Sequence, residues 1–151
     1  MAVKRDSGFT LIEILVVIGI IAILAAVVLI AINPARQFQQ ARDSQRTSNV
    51  NAILNGIGQY IADNRGDLSD DMKTATTTAA NISSAGVNIC DDLVPIYLPS
   101  LPVDPDNGEA VAKSGCGDYD TGYQITRDDF GRITISAPKT EVSTTTISVT
   151  R

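Results

Sequence analysis

Between Phe9 and Ile32 the chain runs for 24 residues with a single charge, Glu13. As a helix rising about 1.5 Å per residue, the run is ~36 Å long, enough to cross a hydrocarbon core of about 30 Å. No later segment of the sequence resembles a second span. The expected architecture is one N-terminal membrane helix followed by a polar body. The leader before the run, MAVKRDSG, holds Lys4 and Arg5. Positive charge ahead of a span favours a cytoplasmic N-terminus and places the body across the membrane.

Glu13 does not suit such a run. An ionised side chain at mid-span costs about 2.5–3.5 kcal/mol even on insertion-based scales. A secretory signal peptide cut near Ala25 or Ala26 would have a shorter apolar stretch and no carboxylate. An uncleaved anchor would leave Glu13 without a partner. A cut between Gly8 and Phe9 supplies one. The new α-amino group at Phe9 is charged near neutral pH and lies one helical turn from Glu13. Amine and carboxylate can pair within a chain or between neighbours. Pairing between chains favours an axial stagger, the register role best attested for a buried polar pair.

The order KRDSG, then FTLIE, then about twenty apolar residues resembles the class III signal of type IV pilins and type II secretion pseudopilins. The resemblance covers Lys4 to Ile32 strongly, residues 33 to about 66 moderately, and the remainder only in layout. It implies cleavage after Gly8 by a membrane-bound prepilin peptidase and N-methylation of Phe9. Glu13 would recognise the terminus of an adjacent subunit during assembly. Removing the eight leader residues from 151 leaves 143. It takes Lys4, Arg5 and Asp6 out of a balance of 12 basic and 17 acidic side chains, so the net charge moves from −5 to −6. The implied partners are the peptidase, an assembly-platform membrane protein, the membrane, and identical or related pilin subunits in a homopolymer. The implied location is a single-pass membrane protein with a cytoplasmic N-terminus, then a surface filament or a periplasmic pseudopilus.

Asn33-Pro34 interrupts the apolar run. A proline inside a helix removes one hydrogen bond and clashes one turn back, near Ile30, so Pro34 is expected to break the helix. Beyond it, Val50, Ile53, Leu54, Ile57, Tyr60 and Ile61 recur at spacings of three and four, the pattern of an amphipathic helix. One helix from Phe9 to about Asn64, bent or loosened near Pro34 and stopped by Gly66, would reach ~84 Å at full helicity. Gly56 and Gly58 each weaken it by about 1 kcal/mol relative to alanine. They are expected to admit close approach of a sheet.

Thr, Ser and Ala dominate residues 67–88, which read as a surface loop with at most a short helix. Asn81-Ile82-Ser83 fits the N-glycosylation triplet. GYQIT and RITIS read as strands around the turn Asp128-Asp129-Phe130-Gly131, with Tyr123, Ile125, Ile133 and Ile135 in alternation. The tail EVSTTTISVT supplies a further strand. The predicted fold is α+β, with the second half of a long N-terminal helix packed on a small antiparallel sheet. Its expected segments are the leader (1–8), a transmembrane assembly helix (9–33), an amphipathic continuation (34–66), and a loop and β-rich head (67–151).

Pro95, Pro99, Pro102 and Pro105 exclude any helix of useful length around them. YLPSLPVDPDNG resembles the Leu-Pro-x-Asp-Pro segment of major pseudopilins, which often bind calcium in the neighbouring loop. Asp106-Asn107-Gly108 stands where those proteins have Trp-Gly. Asp104, Asp106, Asn107, Asp118 and Asp120 carry oxygen donors suited to Ca²⁺. Their spacing does not match an EF-hand loop, and solvated turn aspartates are the plainer reading. Cys90 and Cys116 bracket this segment. A disulfide there would close about 27 residues and constrain the unfolded chain by roughly 3–4 kcal/mol. The alternatives are two buried thiols or a redox site.

The chain has no His, so the commonest general base and metal ligand is absent. Two cysteines without His are too few for a zinc site. The net charge of −5, with only a thin basic cluster at Arg36, Arg42 and Arg46, argues against a specific nucleic-acid partner. No nucleophile motif or phosphate-binding loop occurs, so neither enzymatic activity nor a cofactor beyond the calcium option is expected. The expected function is a structural subunit of a type IV pilus-like filament. The alternatives are a pseudopilin of a type II secretion or competence system, and a monomeric membrane-anchored surface binding module.

Overall fold

The computed structural model describes residues 8–31, 33–108 and 116–151. The chain divides into two units, Met1–Phe38 and Gln39–Arg151. In the first, helix α1 spans Leu11–Ala31. Its stretch Leu11–Leu29 is long and apolar enough to cross a membrane, and none of it is buried. A helix that is apolar all round is stable only in lipid or among other helices.

Helix α1 stops at Ala31, and a second helix, α2, begins at Pro34 and runs to Asp63. This differs from a single bent helix. Asn33 caps α2: its side-chain Oδ1 accepts the Arg36 N–H at 3.4 Å, and its carbonyl accepts the Gln37 N–H at 3.3 Å. Pro34 is then the first helical residue, where a missing N–H costs no hydrogen bond and a fixed φ suits the helix. Pro34 therefore starts a helix rather than kinking one.

In the second unit, α2 buries Val50, Ile53, Leu54 and Ile57, the stripe read from the spacing. These side chains share one core with a four-stranded antiparallel sheet. The strands are β1 (Ala80–Ser83), β2 (Asp120–Arg127), β3 (Ile133–Ala137) and β4 (Ile147–Thr150), each paired with the next in sequence. Strand β2 buries Thr121, Tyr123 and Ile125, and β3 buries Ile133, Ile135 and Ala137, the period of two that a one-sided sheet requires. Ile125 pairs with Ile135, and Arg127 with Ile133, which sets the hairpin at Asp128–Arg132. Each fully buried aliphatic side chain contributes roughly 1.5–3 kcal/mol. The fold is α+β.

Residues 67–88 hold the short helix allowed for and also a strand that was not expected. Ser69 caps the short helix α3 (Asp70–Lys73) by accepting the Met72 N–H at 3.2 Å, and Met72 is buried. Strand β1 follows, anchored by the buried Ile82 and bulged between Asn81 and Ser83. Four residues with one inward apolar side chain leave too little alternation to read in advance. Another short helix, α4 (Cys90–Leu93), buries Cys90 and Leu93.

Gly56 does admit a close neighbour, but not the sheet. A Cβ there would lie 3.2 Å from the Leu98 side chain, in the proline-rich segment, while Gly58 faces nothing within 4 Å. The end of α2 also differs from expectation. The Gly66 N–H reaches back to the Ile61 carbonyl at 2.8 Å, closing the last turn as a Schellman motif. The left-handed position in that motif belongs to Arg65, at φ 61, with Gly66 following at φ 90. A side chain in that region costs ~1–2 kcal/mol, part of which a glycine would forfeit in unfolded-chain entropy. Arg65→Gly is therefore expected to stabilise the second unit by about 0.5–1 kcal/mol in denaturant unfolding. A variant no more stable than the parent would contradict the strain.

Candidate functional site

Gly8, Phe9 and Thr10 precede α1 and are not helical. The Gly8–Phe9 bond is exposed, and Phe9 is 84% accessible. Thr10 is the cap of α1 and Glu13 its third residue. The Thr10 N–H and Oγ1–H donate to Glu13 Oε2 at 2.7 and 2.8 Å, and the Glu13 N–H donates to Thr10 Oγ1 at 3.3 Å. This is a capping box, in which cap and third residue satisfy each other's free groups. The Thr-x-x-Glu spacing was legible in the sequence, but Glu13 was read only as a partner for an amine. The positive end of the helix dipole also favours a carboxylate in the first turn.

In the second unit the dominant polar feature is a guanidinium. Arg46 is fully buried. Its Nε donates to Asp104 Oδ2 at 2.7 Å and its Nη2 to Asp104 Oδ1 at 3.1 Å, a two-pronged pairing that the planar fork of arginine permits. Its Nη1 donates to Asp43 Oδ1 at 2.9 Å and to Glu141 Oε1 at 2.8 Å. Arg42 also binds Glu141 through both prongs. Asp43 in turn accepts the consecutive N–H groups of Glu141, Val142 and Ser143, at 3.1, 2.8 and 3.3 Å. Helix α2, the Asp104 turn and the loop before β4 thus meet at one ion cluster.

The Asp104 turn is itself closely seated. Its N–H donates to the Thr121 carbonyl at 2.8 Å, and its Oδ1 accepts the N–H groups of Asp106 and Asn107, each at 3.0 Å. Gly122 stands opposite at φ 73, and a Cβ there would fall 2.9 Å from the Asp104 Cβ. Only glycine meets both demands.

Burial alone would raise the Asp43 and Asp104 pKa values. At Asp43 the Val142 and Glu141 N–H groups and Arg46 outweigh burial. At Asp104, Arg46 and the Asp106 and Asn107 N–H groups do so, and both carboxyls end below the usual aspartate range. Arg42 first and Arg46 second hold Glu141 down to about 2. Asp104, the largest influence, keeps Arg46 protonated far above any working pH.

The candidate calcium ligands are only partly brought together. Asp104, Asp106 and Asn107 share one turn, and Asp120 opens β2, where its Oδ1 accepts the Gly122 N–H at 2.9 Å. The Asp104 carboxylate is committed to Arg46, so a cationic side chain already stands where a metal would bind. Among the described residues no three Asp, Glu, Cys or His side chains converge as a metal site. Cys90 and Cys116 form a disulfide with Cα atoms 5.6 Å apart. The sequence reading missed the Arg46 cluster, having counted Arg46 only with Arg36 and Arg42 as a thin basic cluster. A signal was present: Arg46 lies four residues before Val50 and seven before Ile53, on the stripe the helix buries.

Residues 3–29 match the prokaryotic N-terminal methylation motif, the class III signal typical of type IV pilins and pseudopilins. No curated protein and no solved structure matches the chain.

Removing the Arg46 charge leaves Asp43 and Asp104 buried without their cation. Arg46→Met is expected to destabilise the second unit by about 3–5 kcal/mol in denaturant unfolding of the detergent-solubilised chain. The acid response follows from the same cluster. A carboxyl whose folded pKa is depressed adds stability above its unfolded pKa and loses it as pH falls through the folded value. Stability should hold from neutral pH to near 4.5, the ordinary glutamate value, and then decline toward about 2 as Glu141 takes up its proton, with Asp43 and Asp104 adding to the loss below the usual aspartate range. Arg46→Met should flatten that decline. An equally steep acid limb in the variant would place its origin elsewhere.

Proposed function

We propose that this chain is a structural subunit of a type IV pilus-like filament. In this reading a prepilin peptidase cuts between Gly8 and Phe9, the Phe9 amine is methylated, and the mature chains polymerise through α1. The observation that carries the reading is that the helix bearing the methylation motif is apolar on every side and buried nowhere. Such a helix rests in lipid until it is drawn against copies of itself. Lateral burial then supplies the driving force for association once subunits leave the membrane.

Each N-terminal residue has a role in this scheme. Gly8 offers the peptidase a backbone without a side chain, ahead of the helix and exposed. Phe9 becomes the terminus. Thr10 and Glu13 both follow the cut, so the capping box survives processing. Its side-chain contacts use Oε2, which leaves Oε1 to accept an ammonium from the same chain or a neighbour. Methylation keeps the positive charge on the amine, so the pairing remains available. The disulfide supports a head that matures outside the reducing cytosol. That placement agrees with Lys4 and Arg5 holding the N-terminus on the cytoplasmic side.

The capping box makes the test sharper. Glutamine serves at the third position of a capping box but carries no charge. Glu13→Gln should therefore insert, be processed and keep its helix end. Filament yield in sheared surface fractions should still fall by about tenfold or more, as in Glu13→Ala, the equivalent of a lost contact of ~1.4 kcal/mol per subunit. Normal filaments from Glu13→Gln would assign Glu13 to helix capping alone. Mass spectrometry of the N-terminus reads processing directly: a substitution at Gly8 should retain the leader, and a mature chain that begins elsewhere than Phe9 would refute the scheme. Filaments lacking this chain would favour a monomeric anchored module.

A further inference from the structure

The dipeptide Asn-Gly occurs twice, at Asn55-Gly56 and Asn107-Gly108. In such a pair the backbone nitrogen of glycine can reach the side-chain carbonyl carbon of asparagine, because no Cβ holds it off. The two sites are placed very differently. Asn55 and Gly56 lie inside α2, where the Gly56 N–H belongs to the helical ladder. The Asn55 Oδ1 also accepts from the Arg151 guanidinium. Asn107 is exposed, in the turn that follows Pro105. Among the described residues its Nδ2 makes only long contacts, 3.4 Å each, to Asp104 Oδ1 and Asp106 Oδ2. Among the described residues the Gly108 N–H has a single bond, at 3.2 Å to the Asp104 carbonyl.

We propose that Asn107 is a site of spontaneous deamidation whose consequence reaches the buried ion cluster. The Gly108 nitrogen attacks Asn107 Cγ, forming an N–C bond and giving up its proton to solvent. The Cγ–Nδ2 bond breaks, and ammonia leaves after taking a proton from water. The resulting succinimide is opened by one water molecule. Attack at Cγ gives aspartate, and attack at the backbone carbonyl gives isoaspartate, in which the chain runs through the former side chain. The net change is amide plus water to carboxylate plus ammonium, with no oxidation or reduction.

Either product acts on Asp104. A carboxylate at position 107 replaces an amide that donates to Asp104 Oδ1 and Asp106 Oδ2, so three acidic groups then crowd one turn. Like charges at such range disfavour the ionised state. Isoaspartate also lengthens the backbone of the turn whose Asp106 and Asn107 N–H groups hold Asp104 Oδ1 at 3.0 Å. Asp104 is the two-pronged partner of Arg46. A slow chemical change at an exposed turn thereby weakens the pairing that seats α2.

The test uses the full chain in detergent, incubated at mildly alkaline pH, with samples digested and weighed over time. The Asn107 peptide should gain a single mass unit and split into aspartyl and isoaspartyl forms, at least about tenfold faster than the Asn55 peptide. After reduction and denaturation in urea the two rates should converge. Equal rates in the folded chain would overturn the assignment. So would an Asn107 that stays intact while the denatured chain converts. Asn107→Asp, which carries the new charge from the start, should melt at a lower temperature than the parent. A parental melting temperature would overturn the link to Asp104.

Discussion

The second unit depends on one buried guanidinium. Arg46 joins segments 58 and 95 residues away in the sequence, through Asp104 and Glu141. Buried ion pairs are poor sources of net stability, because desolvating the charges offsets much of their attraction. Their better-attested role is specification. The apolar stripe of α2 could slide along a sheet of aliphatic side chains at little cost, since hydrophobic burial is not directional. A forked pairing with Asp104, and three successive N–H groups on Asp43, admit one alignment. The demand on Gly122 follows from that alignment, because the Asp104 turn must lie against β2 for its carboxylate to reach α2.

The two units meet their burial requirements in opposite ways. The second closes a core of its own, in which Val50, Ile53, Ile82, Tyr123, Ile125 and Ile135 are all fully enclosed. The first encloses nothing along Leu11–Leu29. A chain with one satisfied unit and one unsatisfied helix suits a part whose helix is completed by its surroundings, first lipid and then, on the proposed reading, other copies. Asn33 and Pro34 mark where the first helix gives way to the second. Because α2 has its own cap and its own first residue, its start does not rely on the last turn of α1.

What was legible in the sequence followed pattern length. Twenty-four nearly uncharged residues, a stripe from Val50 to Ile61 and two alternating strands each repeat a period often enough to be read. Strand β1 repeats nothing: a four-residue edge strand with a bulge has only Ile82 to show. At Pro34 the interruption was legible, but not that the proline would open the second helix. Proline is disruptive inside a helix and well suited to its first turn, and only the capping role of Asn33 decides which applies. Arg46 was missed because a charged residue is assigned to the surface by default. Its partners, Asp104 and Glu141, come from loops whose placement no local pattern encodes.

The capping box changes what Glu13 asks of its surroundings. Read as a bare carboxylate in a span, it requires a cation simply to exist there. Bonded to Thr10 it already has two donors and the helix dipole, so the monomer can tolerate it near the end of the helix without any partner. Hydrogen bonds from neutral groups do not cancel a charge, however, and lateral packing of α1 would strip away the water that remains. The need for a cation therefore grows as copies associate and is smallest in the isolated chain. A group that is tolerable alone and demanding in a bundle is suited to setting register, since misaligned copies would bury the carboxylate unpaired. On the proposed reading the freed Phe9 amine is the nearest cation that processing would create, and it would arise only after the leader with Lys4 and Arg5 has gone.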